Sequence, residues 1–170
     1  EQAAEIAHKF NATYKEVFPE PKILLPRNAV CRRLPGTDGK LKMSKSVGNC
    51  IYLSDDAKTV EKKVMSMFTD PTHLRPEDPG HTEGNPVFQY LEAFAHEEHF
   101  QKYDTGFASL AEMEDKYREG GLGDVAVKKF LAFVLNDTLE PMRIKRRDYE
   151  SRIADVYAIL ERSKSTRLNS

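Results

Sequence analysis

The sequence predicts a short α/β segment, which includes the end of a parallel sheet and a loop, followed by an all-α domain. Apolar residues at helical spacing predict a helix over residues 1–16. The apolar run Ala29–Cys31, between Pro26 and Pro35, predicts a strand. From residue 86 onward only helical patterns occur. These observations place the mixed structure before residue 56 and the helices after it.

The first helix is predicted from one apolar face and from the prolines that follow it. Its face carries Ala3, Ile6, Ala7, Phe10, Tyr14 and Val17. Pro19 and Pro21 end it. After the predicted strand, the Gly-Thr-Asp-Gly turn at 36–39 leads into a loop, and Gly48 tolerates the positive φ that a loop needs to fold back.

A second helix is predicted over residues 55–68, with Ser54 or Asp55 as its N-cap. Its apolar stripe consists of Ala57, Val60, Val64 and Phe68. The segment 69–86 that follows is rich in proline and glycine. Because loops of this length are uncommon unless they are functional, we interpret it as the connection between two domains.

Four further helices are predicted, the first three of them from caps and breakers. Asn85 and Pro86 are a cap and a first-turn proline for one helix, and Gly120-Gly121 end the next. Asp124 is the predicted cap of a long helix that Pro141 should bend or end. The last helix is marked by Ile153, Val156, Tyr157 and Leu160.

Composition excludes several classes of protein. The 170 residues carry a net charge of −1, so global charge does not indicate nucleic-acid binding, and we expect no DNA partner. Cys31 and Cys50 are too few for a disulfide framework and lack zinc-ligand spacing, and we interpret both as small apolar residues. Since no apolar run approaches the ~20 residues of a membrane span, we expect a soluble cytoplasmic protein without a membrane partner.

The most informative stretch is Lys42-Met43-Ser44-Lys45-Ser46. Two lysines three residues apart, with hydroxyls between and after them, can surround a polyphosphate, because ammonium and hydroxyl groups both donate hydrogen bonds to phosphate oxygens. A basic string of this kind taken alone is more often a solvated surface loop.

Together with Gly48-Asn49, this string resembles the second signature of class I aminoacyl-tRNA synthetases. The flanking segments are similar to the bacterial tryptophanyl-tRNA synthetase family, and the resemblance covers about residues 1–162. The similar segments are 36–39, 51–56, 65–71, 82–86, 119–124 and 139–143.

The resemblance implies a domain organisation. Residues 1–55 would be the C-terminal part of a Rossmann-like catalytic domain, and 56–162 a helical domain of the anticodon-recognition type. Residues 163–170 depart from the family pattern, and we expect a non-native or disordered tail there.

The resemblance also implies the activity: ATP-dependent conversion of L-tryptophan to tryptophanyl-adenylate and transfer to tRNA(Trp). Lys42 and Lys45 would be catalytic, residues 42–46 would bind ATP, and the backbone of Leu34 would meet the adenine. ATP with Mg²⁺, no protein-bound metal site and a homodimer are implied as well. The family's first signature and tryptophan pocket precede residue 1, so we expect the chain alone to be inactive.

Two alternatives remain open from the sequence. One is a fragment of a tyrosyl-tRNA synthetase, which shares the architecture. The other is a nonenzymatic helical RNA-binding module. The basic run 143–147 bears on the RNA question, because its cations would contact either tRNA phosphates or only solvent. Its cations are Arg143, Lys145, Arg146 and Arg147.

Two other motifs are interpreted as structural. His96-Glu97-Glu98-His99 has its histidines three apart rather than four, without a further ligand nearby, so we expect a solvated helix face and not a metal site. The glycine-rich stretch 120–123 lacks the lysine and hydroxyl residue of a P-loop and is predicted to be a helix break.

Overall fold

A computed structural model describes residues 2–26, 28–40 and 42–168, with side chains described as far as residue 163. The chain divides into two compact units, Glu1–Arg32 and Arg33–Ser170. The signature loop, residues 42–49, therefore belongs to the same unit as the later helices. The boundary at residue 55 between a catalytic and a helical domain stays a prediction.

The first unit contains helix α1, Gln2–Thr13, and a 3-10 turn over Val30–Arg32. The strand predicted at Ala29–Cys31 is wrong, and the described residues contain no strand with which it could pair. A strand depends on a neighbour for its hydrogen bonds, so a short apolar run without one takes a local turn instead. Cys31 is exposed, contrary to its interpretation as a small apolar filler, whereas Cys50 is buried.

In the described residues, the second unit is built of helices, as predicted. Its core lies where α2 and α3 pack on α6, around side chains such as Val60, Leu91 and Leu131, each fully buried. The helices are α2 Ala57–Met65, α3 Pro86–Phe94, α4 Glu97–Lys102, α5 Leu110–Glu119, α6 Asp124–Ser151 and α7 Ile153–Leu168.

The starts of α2 and α3 are fixed by side-chain caps. Asn85 Oδ1 accepts a hydrogen bond from Val87 N at 3.0 Å with proline at the first helical position, as predicted. Helix α2 is capped by Asp56 rather than by Ser54 or Asp55. Because α2 ends at Met65, Phe68 is exposed and Met67 fills the core instead.

The junction between α5 and α6 is a glycine break, as predicted. Gly120 has φ 89°, and a Cβ there would collide with the carbonyl oxygen of Glu77. The cap of α6 is Gly123, not Asp124. The Asp124 carboxylate instead accepts the Tyr117 hydroxyl at 2.7 Å and lies 3.0 Å from His73 Nδ1. A tertiary contact has therefore replaced the predicted local cap.

Helix α6 spans 28 residues and does not end at Pro141. Helix α7 reaches Leu168, within the range 163–170 that is expected to be a non-native or disordered tail. Its non-native origin stays a prediction. None of the described helices is long and apolar enough to cross a membrane.

Of the residues 96–99, expected to form a solvated helix face, His96, Glu97 and Glu98 are exposed and His99 is not. His99 is buried, and its Nδ1 accepts a hydrogen bond from His96 N at 2.9 Å. Its Nε2 lies 3.5 Å from Asp137 on α6. His99 thus serves as a capping and packing residue, and within the described ranges no group of three or more His, Cys, Asp or Glu residues could hold a metal ion.

Candidate nucleotide-binding loop

A hydrogen-bonded turn at residues 36–40 precedes the signature loop. Gly36 N donates to Lys40 O at 2.8 Å, and Thr37 N donates to Asn49 O at 2.9 Å, which joins the turn to the far end of the loop. A Cβ at Gly36 would collide with the side chains of Asn49 and Asp38. Glycine at position 36 therefore permits the close approach on which the loop base depends.

Asn49 holds the loop from inside. Its side chain is only 5% exposed and makes three hydrogen bonds. Oδ1 accepts from Ser44 N at 2.7 Å, while Nδ2 donates to Asp38 Oδ1 at 2.9 Å and to Lys42 O at 3.1 Å. One buried amide thus fixes the backbone at the two ends of the Lys42–Ser44 segment and ties it to the preceding turn.

The hydrogen bond from Asn49 is the main cause of a lowered pKa of the Asp38 carboxyl. The carboxylate also accepts from its neighbour Lys40 N at 3.1 Å. Because the folded pKa lies below the ordinary value near 4, this group stabilises the loop base above that pH, and the contribution is lost as pH falls through the folded pKa.

The functional side chains of the loop point to solvent. Lys42, Lys45 and Ser46 are exposed. Gly48 has φ 75° and donates to the carbonyl oxygens of Ser44 at 3.1 Å and Lys45 at 3.2 Å, which closes the loop as a tight turn. The hydroxyl oxygens of Ser44 and Ser46 lie 2.8 Å apart. Two ammonium groups and two hydroxyls are therefore offered on one short turn.

The inner face of the loop is anchored on α3. The Tyr90 hydroxyl, on a side chain 3% exposed, donates to Pro35 O at 2.8 Å and lies 3.1 Å from Met43 Sδ. Burial raises the pKa of Tyr90 to about 12. Met43 and Leu34 pack against the helical core. Met43 thus lies at the loop base, as predicted, while Leu34 sits next to the anchored carbonyl of Pro35.

An open cleft of about 650 Å³ adjoins the loop. Lys45 and Ser44 line this cleft, as do Met142 and Arg146 of α6. Residues 50–54 line it as well. The cleft therefore joins a cation of the signature loop to a cation of the basic run.

The basic run does not form one continuous exposed face. Lys145, Arg146 and Arg147 are exposed, with Arg146 bound to Glu150 at 2.7 Å and Arg147 to Glu140 at 2.8 Å. Arg143 is only 7% exposed, and its guanidinium faces protein acceptors. The burial of Arg143 argues against its expected contact with a tRNA phosphate.

The chain matches a known family of proteins. The profile of the tRNA synthetases class I (W and Y) matches residues 1–140. The chain therefore belongs to this family.

Two curated relatives show which members of the family this chain resembles. A tryptophan–tRNA ligase from Clostridium longisporum is 51% identical over 162 residues, which are 95% of this chain and 45% of the relative. A tryptophan–tRNA ligase from Streptococcus mutans is 48% identical over 167 residues, covering 98% of this chain and 47% of the relative. The chain thus spans about half the length of the curated relatives it matches.

Solved structures agree with the sequence comparison. The crystal structure of tryptophanyl-tRNA synthetase from Campylobacter jejuni complexed with ADP and tryptophan superposes with a TM-score of 0.67 at 28% identity. The match covers 94% of this chain and 45% of that one.

Sequence reasoning missed the residues that support the loop. Asn49 was noted only as part of the signature, although a buried amide beside a glycine-rich turn is a common organiser of loops. The roles of Tyr90 and Asp38 cannot be recognised in the sequence, because both depend on contacts that form only when the chain has folded. Arg143 was grouped with its neighbours by charge alone.

We expect Asn49→Ala to release the loop without unfolding the helices. Loss of three partly buried hydrogen bonds should cost about 1–3 kcal/mol locally, so the Ser44 amide should exchange about 5- to 10²-fold faster. The pKa of Asp38 should rise toward its ordinary value. Amide hydrogen exchange and NMR titration measure the two effects.

Ser46→Ala is the matched control within the same loop, since it removes only the exposed contact between two hydroxyls. Its Ser44 amide should exchange as in the parent. Equal exchange in Asn49→Ala and Ser46→Ala would show that the Asn49 amide does not hold the loop.

Proposed function

We propose that the chain is part of a tryptophan–tRNA ligase, and that its signature loop binds the phosphates of ATP during formation of tryptophanyl-adenylate. The observation that carries the proposal is a loop with a buried, hydrogen-bonded base and two exposed lysines. The names of the curated relatives, and the ADP and tryptophan of the Campylobacter jejuni complex, support this choice of ligands.

The loop suits attack of a carboxylate on the α-phosphorus of ATP. Pyrophosphate leaves in this reaction, and negative charge grows on its oxygens. Cations held in place before the reaction stabilise that charge without reorganisation. Lys45 and Lys42 would supply the positive charge, and the hydroxyls of Ser44 and Ser46 would donate hydrogen bonds. Met43 would anchor the loop, and the backbone of Leu34 would meet the adenine.

Mg²⁺ would accompany the nucleotide, whose phosphate oxygens are its preferred ligands. The described residues offer no cluster of acidic or imidazole groups to hold it. The chemistry that this chain's own residues would supply is charge stabilisation by lysines and hydroxyls.

The helical unit would contribute to recognition of tRNA(Trp). Its exposed cations Lys145, Arg146 and Arg147 suit contacts with a phosphate backbone, which carry affinity and orientation. The ion pairs of Arg146 to Glu150 and of Arg147 to Glu140 are exposed and therefore weak, so a polyanion can displace them. A cytoplasmic homodimer would be the working form of the whole protein.

The relatives favour this function over both alternatives. Those compared above bear the name of the tryptophan enzyme, which supports it over a tyrosyl-tRNA synthetase fragment. Membership of the class I tRNA synthetase family supports it over a nonenzymatic RNA-binding module. Because the first signature and tryptophan pocket would lie outside these residues, we expect the chain alone to form no adenylate.

In the full-length parent, we expect Lys45→Ala to lower tryptophan-dependent pyrophosphate exchange by about 10² or more, because the charge acts mainly in the transition state. Tryptophan affinity should change little, and Lys42→Ala should be milder. Lys62→Ala, on the exposed surface of α2, is the control and should retain parental exchange. Parental exchange in Lys45→Ala would refute the phosphate role.

Replacing both Lys145 and Arg147 with Gln should weaken tRNA binding in the full-length parent. Each lost phosphate contact should remove roughly 0.7–0.9 from the log-log salt slope, which is measured from tRNA affinity at several salt concentrations. Pyrophosphate exchange without tRNA should be unaffected. If the double variant kept the parent's slope, these two residues would belong to a solvated helix face.

A further inference from the structure

We propose that Arg143 is a positioning residue for the signature loop: from α6 it holds the backbone segment that leads out of the loop. The proposal rests on the proposed function, because the geometry it maintains is that of the nucleotide-binding lysines. It also gives a role to a charged side chain that neither phosphate binding nor solvation explains.

Each of the three nitrogen atoms of the Arg143 guanidinium faces a protein acceptor. Nε donates to Asp55 O at 2.9 Å, one NH₂ group donates to Asn136 Oδ1 at 2.8 Å, and the other lies 3.3 Å from Glu140 Oε2. A charge is buried at a net penalty unless its donors are satisfied. Three acceptors in fixed directions match the planar fork of arginine and cannot be matched by lysine.

The segment that Arg143 holds is a short turn, residues 52–55, closed by hydrogen bonds between Tyr52 and Asp55. Asp55 Oδ2 accepts from Tyr52 N at 2.8 Å and from Lys63 Nζ at 2.5 Å, while Asp55 N donates to Tyr52 O at 3.0 Å. Residues 52–55 therefore form one locked turn. Asn136 also donates to Ala57 O at 3.2 Å, so α6 holds the chain on both sides of the Asp56 cap.

From this turn the chain returns directly to the loop. Ile51 packs against the core, Cys50 is buried, and Asn49 carries the three hydrogen bonds that hold the loop base. Residues 50–54 separate the Arg143 contact from Asn49, and the hydrogen bond from Tyr52 N to Asp55 Oδ2 constrains the end of this segment that Arg143 holds. A shift at Asp55 is therefore transmitted to Asn49 and on to Lys42 and Ser44.

The decisive experiment uses the full-length protein with Arg143→Lys, which keeps the charge but loses the fork. Exchange is measured over a range of ATP and of tryptophan concentrations, with active-site titration and thermal melting. We expect a rise in KM for ATP or a fall in kcat of about tenfold or more, with KM for tryptophan unchanged, since small displacements at a reacting centre are costly.

The controls separate this role from others. Arg152→Lys changes an exposed arginine next to the same helix and should behave as the parent. Asn136→Ala removes one acceptor of Arg143 at a site where alanine suits the helix, and should shift the ATP parameters in the same direction by a smaller factor. Thr138→Ala, on the same helix, should not shift them.

Three results would overturn the proposal. Parental kinetics in Arg143→Lys and Asn136→Ala would remove the link to the loop. A loss of active sites and melting temperature, with unchanged parameters for the remaining enzyme, would indicate a purely structural arginine. A defect confined to tRNA binding would return Arg143 to the RNA surface.

Amide exchange gives a readout independent of catalysis. In Arg143→Lys the amides of Ser44 and Gly48 should exchange faster, while amides at the centre of α6 keep their protection. If the parent lacked exchange activity, the proposed function would fail, and this measurement would still decide the positioning role. Unchanged loop exchange would contradict it.

Discussion

The buried hydroxyl of Tyr90 is the contact that joins the signature loop to helix α3 of the core. It donates from α3 to the carbonyl oxygen of Pro35 and touches the sulfur of Met43, so a single group reaches the chain before the loop and a residue inside it. A hydroxyl has one proton, and the carbonyl is the stronger acceptor. Met43 therefore packs against an oxygen whose position is already fixed.

The remaining contacts extend this anchor around the loop. Asn49 closes the base from within, and Arg143 fixes the chain beyond it. All three side chains are buried, whereas the lysines they support are exposed. This division separates two requirements: the base must be rigid to place charge, and the ammonium groups must remain free to meet a polyanion.

The cleft beside the loop brings two cations of different elements together. Lys45 and Arg146 line one space, although the two residues are 101 positions apart in sequence. A ligand that engaged either cation would alter the electrostatic environment of the other. Arg143, three residues before Arg146, donates to the carbonyl oxygen of Asp55, the residue that follows the 50–54 segment lining this cleft. Helix α6 thus contributes to both the support and the surroundings of the loop.

Local chemistry explains the helix boundaries that the sequence predicts correctly. Asn85 and Pro86 start a helix, and Gly120 ends one, because caps and positive φ are properties of a few neighbouring residues. The signature string located the loop because its lysines, hydroxyls and glycine are contiguous in the sequence. The strand at 29–31 failed because pairing needs a distant partner.

Arg143 marks a second limit of sequence reasoning. A run of cations suggests one surface, yet the helix turns by about 100° per residue and directs Arg143 inward while its neighbours remain in solvent. Charge in a sequence predicts a kind of contact but not which side of a helix makes it.

The central claim is that the helical unit holds the signature loop through Tyr90, and amide exchange of Tyr90→Phe in the full-length protein tests it most directly. Removing one buried hydrogen bond of about 1 kcal/mol should speed exchange at Thr37, Ser44 and Gly48 by about fivefold, with the helix core unaffected. Tyr103→Phe, which keeps a packed ring, should match the parent. Unchanged exchange at all three loop amides in Tyr90→Phe would contradict the account.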